Sequence, residues 1–554
     1  MLNANLNFNI NIADDIHLSS RTAMHLYATF GKIAEEHGFK IYIVGGFVRD
    51  LLIYKIHNRH KTCDLLEKPV DIDICVEGDA IIFAGILKQE LYKFENNIYI
   101  CNIKKHERFK TVSMVFSIVH ENIINIDFAS ARREFYAKSG VLPSVKFSDL
   151  EHDLIRRDFS INALAFNLGP DNFFKIIDYY NGVKDILNKK IRVLHDLSFI
   201  DDPTRIFRAV RFEKRLGFRI EENTKKLLID ALSKGVMDNI SGKRISNELN
   251  LIFHESRPEV YFLRLEKLGA LKSIDEDLKF TSCNKRNFEK IRNFYQSNKE
   301  KISTIKINET KIKNANATKI NIELLYLMEL LIRLKDEKIV SILERLNFGE
   351  NIKKLFLSIK AEIKSIKKIV RNINKIGINN ISDININKID INNKNNININ
   401  INKIDINNKE NINLSINTAD TNNTGAKNIG NKYIGNANIM MNITAESSAN
   451  FKSRLYSVLK PFNLYSIIFF IMRYNNNSGS DINRIDKYLK IYLFEIINVK
   501  SDVSGEDLKK LGFKEGPEIG KILNMLKLLK IDGAIKSRKE EIEYIKTEYN
   551  IKHD

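Results

Sequence analysis

The sequence predicts an α+β protein, with a small mixed β-sheet and helices at its N-terminal end and an all-helical remainder. Three observations carry that expectation. Short β-type runs alternate with turns only before about residue 130. Apolar stripes at helical spacing dominate from about Ile200 onward. An abrupt shift to Asn, Ile, Lys and Asp between about Asn372 and Asn442 interrupts the helical part. At 554 residues, and at roughly 150 residues per domain, the chain has room for about three or four domains. It needs no disulfide or metal staple to hold a core.

Charge and cysteine usage narrow the function classes. Lys and Arg number 88 against 69 Asp and Glu, a formal charge of +19. Such an excess favours a polyanionic partner, nucleic acid before membrane. The four cysteines (Cys63, Cys75, Cys101, Cys283) are far apart and form no CxxC pair. That argues against a zinc site or a secreted disulfide framework and fits a reducing cytosol. The N-terminal stretch has no basic patch followed by an apolar run, so the chain is expected to be cytoplasmic. The longest apolar run, Tyr465–Met472, falls far short of the roughly 18 residues a membrane span needs. No protein partner is evident.

In chain order, residues 21–36 place Ala23, Leu26, Phe30 and Ile33 on one face of an amphipathic helix. Strands are expected at Lys40–Val44, Asp71–Val76, Ile98–Ile103, Thr111–Ile118 and Ile123–Phe128. Helices follow from about Ile200 to the compositional break, and again over Phe451–Lys546. The break holds a direct repeat, NKIDINNK at Asn387–Lys394 and Asn402–Lys409. Its Ile/Asn alternation imitates a strand, but too few bulky side chains are present to build a core. An RNA-contacting arm and an expanded, disordered insertion both fit that composition; the second is the simpler.

The chemistry-bearing residues cluster in five motifs. IYIVGGFVRD (Ile41–Asp50) delivers Gly45 and Gly46 from a strand into a helix carrying Arg49. Glycines at such a turn let the backbone approach a phosphate, and the helix N-terminus adds positive potential. In VDIDICV (Val70–Val76), Asp71 and Asp73 are two apart on one strand, so their carboxylates share a face. Two such carboxylates repel unless a cation holds them, which suits a pair of Mg²⁺ ions on a nucleoside triphosphate. Asp127, near the end of another strand, could complete a metal triad, although strand-end aspartates also serve as caps. DLIRRDFSINALAF (Asp153–Phe166) sets Arg156, Arg157 and Asp158 before a helix-like apolar run, and arginines offer planar bidentate donors to phosphate. DYYNGVKDI (Asp178–Ile186) places Gly182 at a turn. In DDPTRIFRAVRF (Asp201–Phe212), Asp202, Arg205, Arg208 and Arg211 recur every three residues, which puts them on one helix side.

In order and spacing these motifs resemble the class II tRNA nucleotidyltransferases, the CCA-adding and bacterial poly(A) polymerase family of the DNA polymerase beta-like superfamily. The resemblance covers residues 41–218, continues weakly through Ile240–Phe253 and returns at Val503–Leu523, which looks like the family's tail. It implies that Gly45, Gly46 and Arg49 hold an incoming triphosphate and that Asp71 and Asp73 bind two catalytic Mg²⁺ ions. It implies that Arg157 contacts the nucleotide and that Asp158 supports the ribose side. Asp202 and Arg205 would hydrogen-bond the base of CTP or ATP without a template, Arg208 and Arg211 would add contacts, and Gly182 and Asp185 would lie at a hinge. The RNA 3′-hydroxyl would then attack the α-phosphate, with the tRNA 3′ end, acceptor and T-arm as partner. Departures are mild: Asp201 for a usual Glu, Ser160 for Thr, Lys243 for Glu, and a longer linker before Asp71. The same motifs serve full CCA addition, A-only or CC-only addition and poly(A) synthesis. The stretch between Asp127 and Asp153 is long enough for the mobile loop that full CCA or A-only enzymes need.

Composition and resemblance together divide the chain into a catalytic head (21–170), a base-selecting helical neck (171–260), a helical body (261–371), the insertion (372–445) and an RNA-binding helical tail (446–554). Loop length between packed helices costs little entropy. Deleting Asn372–Asn442 is therefore expected to leave soluble expression and nucleotide incorporation nearly unchanged; a fall in activity of about tenfold would make the segment structural.

Overall fold

The computed structural model describes residues 18–57, 72–94, 98–118, 123–135, 144–305, 320–375, 450–474 and 480–549. Asp71 and residues 376–449, nearly all of the low-complexity segment, lie outside the described residues.

The N-terminal part runs α1 (Leu18–Glu36), β1 (Lys40–Val44), α2 (Gly46–His57), β2 (Ile72–Glu77), α3 (Ala80–Phe94), β3 (Ile98–His106), β4 (Thr111–Ile118) and β5 (Ile123–Ser130). The hairpin β6 (Arg132–Phe135) and β7 (Ser144–Phe147) follows, then α4 (Leu150–Ile155), β8 (Ala165–Asn167), β9 (Ile176–Ile177) and α5 (Gly182–Leu187). Seven strands form one sheet in the order β3-β4-β5-β2-β1-β8-β9. Only β2 and β5 run parallel; the other pairings are antiparallel. The strands expected at Lys40–Val44 and Thr111–Ile118 have those limits, and the other three are displaced or extended by a few residues.

Both faces of the sheet are covered, which is why β1 reads as a continuous apolar run rather than an alternation. On one face, Phe30 of α1 and Phe83 of α3 meet Phe116 and Phe128, with ring centroids 5.4–5.9 Å apart. On the other, Tyr42, Val44 and Cys75 pack with Leu150 and Leu154 of α4 and with Ala163 and Ala165. Ile72, Ile74 and Val76 are buried while Asp73 is exposed. Apolar cover on the Cys75 side of β2 thus ends one pleat before the carboxylate.

Two segments differ from expectation. The apolar run after Asp158 is not a helix: Ser160–Asn162 make a single 3₁₀ turn and Ala165–Asn167 join the sheet as β8. Tertiary bonds set this path, since the Ser160 amide donates to the Arg192 carbonyl and its hydroxyl to buried Asp185. The positive φ in the Asp178–Ile186 turn belongs to Asn181, not Gly182. Gly182 is required for a close approach instead, because a Cβ there would lie 2.3 Å from the Ser160 carbonyl oxygen.

The described chain continues through α6 (Ser198–Asp201), α7 (Arg205–Arg215), α8 (Glu222–Ser233), α9 (Gly242–Phe253) and α10 (Pro258–Leu268). Next come α11 (Ser282–Ser297), α12 (Lys299–Ser303), α13 (Ile322–Leu331), α14 (Asp336–Arg345) and α15 (Glu350–Lys375). The last helices are α16 (Phe451–Leu459), α17 (Leu464–Tyr474), α18 (Ser480–Ile491), α19 (Gly505–Lys510), α20 (Pro517–Ile531) and α21 (Arg538–Glu548). Two compact units result, one drawn from Met1–Phe280 with Glu344–Asn347 and one from Thr281–Leu343 with Phe348–Asp554. In the second unit the apolar run Tyr465–Met472 is buried on every side in α17. Glu329, fully buried in α13, accepts from Arg473 at 2.8 Å and from Asn287 at 2.8 Å, so its charge is compensated.

Candidate active site

In the first unit, an open cavity of about 640 Å³ is lined by Gly45, Gly46, Arg49, Asp73, Arg157, Asp158, Asp202, Arg205, Arg208 and Arg211. Every residue given a catalytic or nucleotide-binding role in the sequence is therefore there, except Asp71, which lies outside the described residues, and Asp127. Asp127 stands on β5 directly opposite Asp73 on β2 in parallel register, and both side chains are exposed. Neighbouring strands are only about 4.8 Å apart. Two carboxylates so placed form an all-oxygen donor set suited to a hard divalent cation such as Mg²⁺. Among the described residues no His, Cys or further carboxylate completes a three-ligand cluster with them.

Gly45 turns the chain from β1 into α2 with φ +82°. A Cβ at this position would meet Arg157 Nη1 at 3.1 Å and Asp73 Oδ2 at 3.4 Å, so glycine keeps the backbone against both. Arg49, one turn into α2, is almost fully buried. It donates from Nη1 to Asn162 Oδ1 at 2.7 Å, and pairs with Asp50 through Nε at 2.7 Å and Nη2 at 2.9 Å.

The adjacent arginines have different employments. Buried Asp153 accepts from Arg156 Nε at 2.9 Å and Arg157 Nη2 at 3.0 Å, and Arg156 Nη1 also donates to Glu134 at 2.9 Å. Arg156 is thereby consumed by structure, whereas Arg157 keeps a buried Nε with no hydrogen-bond partner. Burial pushes the Asp153 carboxyl upward, but the Arg157 and Arg156 guanidinium groups outweigh it and hold it below the ordinary carboxylate range.

Asp158 is also buried. Its Oδ1 accepts from Asn162 Nδ2 and from the Phe159 amide, both at 2.8 Å, and its Oδ2 accepts from Arg208 Nε at 2.8 Å and Nη2 at 2.5 Å. Here too burial acts upward, and Arg208 more than reverses it. Arg211 Nη1 reaches Glu248 Oε2 at 3.3 Å, and its Nε is another buried donor without a partner. Burial raises the Glu248 carboxyl, and Arg208 and Arg211 only partly offset the rise.

Asp202 and Arg205 do not share a helix face, contrary to expectation. Asp202 is extended (φ −135°, ψ 93°) and α7 begins only at Arg205. Pro203 is the reason, because the residue before a proline is pushed out of the helical region. Asp202 lines the cavity, and its Oδ1 accepts from the Thr204 amide at 3.0 Å, the Thr204 hydroxyl at 2.6 Å and Arg244 Nη2 at 2.7 Å. Arg205 donates to Ser198 Oγ and to the Arg156 carbonyl, each at 2.6 Å. A guanidinium has five N–H groups, so others remain for a ligand.

Sequence reasoning missed Asp153, Asn162, Arg244 and Glu248 as organisers of this cavity. Two spacings carried the signal: Asp153 stands three and four residues before Arg156 and Arg157, and Arg244 four before Glu248. The lining holds eight arginines against five carboxylates and no lysine or histidine, a surplus of three positive charges in rigid bidentate donors.

Sheet order, glycine turn and arginine-lined cavity fit the nucleotidyltransferase head and helical neck that the sequence motifs resemble. Residues 41–192 match the poly A polymerase head domain, and residues 217–280 match the probable RNA and SrmB-binding site of polymerase A. The A-adding tRNA nucleotidyltransferase of Geobacter sulfurreducens is 40% identical over 267 residues, 48% of this chain and 28% of that protein. The one from Halalkalibacterium halodurans is 36% identical over 261 residues, 47% and 55%. The multifunctional CCA protein of Teredinibacter turnerae is 30% identical over 246 residues, 43% and 51%. The chain thus spans less than two thirds of the length of these curated relatives. A solved CCA-adding enzyme in an apo form superposes with a TM-score of 0.61 at 25% identity, over 97% of each chain. The Thermotoga maritima CCA-adding enzyme complexed with tRNA superposes at 0.55 and 25%, again over 97% of each. Over residues 41–280 the chain is thus similar to poly A polymerase head domains and to A-adding and CCA-adding tRNA nucleotidyltransferases. Among the described residues no helix is long and apolar enough to cross a membrane.

Removing Asp153 leaves two buried guanidinium groups short of a counter-charge, which costs about 3–5 kcal/mol. Because its folded pKa lies below the unfolded value of about 3.9, its contribution is full above that pH and is lost as pH falls through the folded value. Asp153→Asn is expected to unfold earlier in urea at pH 7, with the gap to the parent narrowing as pH falls below the ordinary carboxylate range. A gap that stays constant over this range would show that the carboxyl is not ionised in the fold.

Proposed function

We propose that the protein adds nucleotides to the 3′ end of tRNA without a template, taking CMP and AMP from CTP and ATP with release of pyrophosphate. The observation that carries the proposal is the opening of one arginine-lined cavity beside strand-paired Asp73 and Asp127. Those two residues, with Asp71 two positions earlier, would hold Mg²⁺. Bound there, the metal lowers the pKa of the attacking 3′-hydroxyl and neutralises charge on the phosphates.

The chain's own groups do the rest. The Gly45–Gly46 turn and the N-terminus of α2 receive the triphosphate, with Arg157 Nε as an uncommitted donor. Arg49 stays locked to Asp50 and Asn162 and shapes the floor of the turn. Asp202 Oδ2 accepts from the amino group of cytosine or adenine while Arg205 donates to the ring nitrogen beside it. Uracil and guanine would turn a carbonyl to the carboxylate and an N–H to the guanidinium. In this arrangement the head (21–170) carries the chemistry and the neck (171–260) chooses the base. The helical body (261–371) and tail (446–554) hold tRNA through phosphates and shape.

A second reading, addition of A alone, is favoured by the matches of comparable length: 36–40% identity over 261–267 residues to A-adding relatives against 30% over 246 residues to a multifunctional CCA protein. Incubating the chain with labelled CTP and ATP on tRNAs ending before CCA, after C and after CC decides between them. Incorporation of A only on the tRNA ending in CC gives the A-only enzyme; extension of all three gives full CCA addition.

Asp73→Asn is expected to abolish incorporation while tRNA binding survives; near-normal rates in Mg²⁺ would remove Asp73 from the chemistry. Asp202→Ala is expected to admit UTP and GTP, losing about tenfold to a hundredfold in discrimination, since each mismatched buried partner costs about 1–3 kcal/mol. Steady-state incorporation of all four nucleotides checks this. A variant as strict as the parent would place base choice elsewhere in the cavity.

A further inference from the structure

The second unit has a cavity of its own, about 900 Å³ in volume, walled by α11, the turn into α12, and α18 with its continuation. That continuation is a π-helix over Tyr492–Ile496, which turns Phe494 into the wall. Single π turns are rare in helices and concentrate at functional sites. Phe494 lies near-parallel to Phe294 of α11, with centroids 6.2 Å apart and planes 25° from each other, so one wall is aromatic. The Lys301 ammonium rests 5.5 Å from the Phe494 centroid and has no carboxylate partner among the described residues. Exposed Lys487 stands on the same rim. Below it Asp486 pairs with Lys490 through Oδ2, while its Oδ1, also out of solvent, has no hydrogen-bond partner.

Each feature matches one part of a single chemical class. The aromatic wall takes a planar base by stacking, which works for any base because each has a π-face. The Asp486 Oδ1 acceptor needs a donor, and a base edge supplies an amino or ring N–H. The Lys301 ammonium, held over a ring in default of an anion, is within side-chain reach of a phosphate on a base stacked there. The volume falls in the usual range for small-molecule sites. We propose that this cavity is a second nucleotide-binding site, separate from the head-and-neck cavity, for an unpaired nucleotide. That nucleotide is either a free nucleoside phosphate or an unpaired residue of an RNA strand.

The test uses the full chain at low salt, with 8-azido-ATP photocrosslinking followed by peptide mapping and with equilibrium dialysis of labelled ATP and CTP. The expected result is two labelled regions, one in the head and one containing Phe494, and more than one nucleotide bound per chain. Lys301 and Lys487 are both exposed, so Lys301→Ala/Lys487→Ala is expected to fold normally. It should weaken the body site by about tenfold or more, as loss of charge-assisted contacts to phosphate does. Labelling of the head should be unchanged. Asp486→Asn should weaken it for ATP and CTP but not for inorganic pyrophosphate. Protection of the Phe494 peptide by unstructured oligo(A) RNA but not by ATP assigns the site to an RNA residue; protection by ATP assigns it to a free nucleotide. Absence of any label near Phe494 with either probe overturns the proposal. So does pyrophosphate competing as well as ATP does, which would mark an adventitious anion site only.

Discussion

One buried carboxylate, Asp158, ties the arginine-lined cavity together. Through Asn162 it connects to Arg49 in the helix that follows the glycine turn, and through its bidentate pair with Arg208 it connects to α7. Beyond Arg208, Glu248 links Arg211 and α9 to the same network. The glycine turn and α7, about 160 residues apart in sequence, are held in register by one continuous series of charge-assisted bonds. Replacing Asp158 by an apolar residue would strand Arg208 in a poorly solvated place. Removing one member of such a pair costs far more than the pair itself contributes.

The cavity also shows how repulsion among eight guanidinium groups is managed. Asp153, Asp158, Asp202, Glu134 and Glu248 are each assigned to particular arginines, and none is shared evenly. Arg156 is spent on Asp153 and Glu134, so it cannot leave its place. Arg157, which shares only one oxygen of Asp153, retains a donor aimed at nothing. Two neighbouring and chemically identical residues thus become a strut and a side chain with a donor to spare. The distinction is made by how many acceptors each has, not by exposure.

Much of this was legible in the sequence where local chemistry dominates. The limits of β1 and β4, the glycine turn and the one-sided exposure of Asp73 follow from short β-type runs and the turn residues that bound them. The run after Asp158 was misread as helical because its apolar spacing suits a helix. Its actual path is set by the Ser160 contacts to Arg192 and Asp185, some 25–32 residues further on and not represented in any local window. The grouping of Asp202 with Arg205 failed for the opposite reason: Pro203 announces the break, and the three-residue period concealed it. Asp153 and Arg244 escaped notice because ion-pair spacing on a helix is common on surfaces, and only burial makes it decisive.

The unsatisfied Nε groups of Arg157 and Arg211 have a thermodynamic consequence for the empty protein. A buried donor without an acceptor costs about 1–3 kcal/mol, and a bound anion that reaches such a donor returns that cost to the complex. The resting fold is therefore held below the stability its own contacts could reach, and occupancy of the cavity becomes part of its folding equilibrium. Each tenfold rise in ligand above its dissociation constant adds about 1.4 kcal/mol to the folded state. Were nucleoside triphosphates to fill the cavity as proposed, their concentration would govern how long the chain persists as well as how fast it turns over.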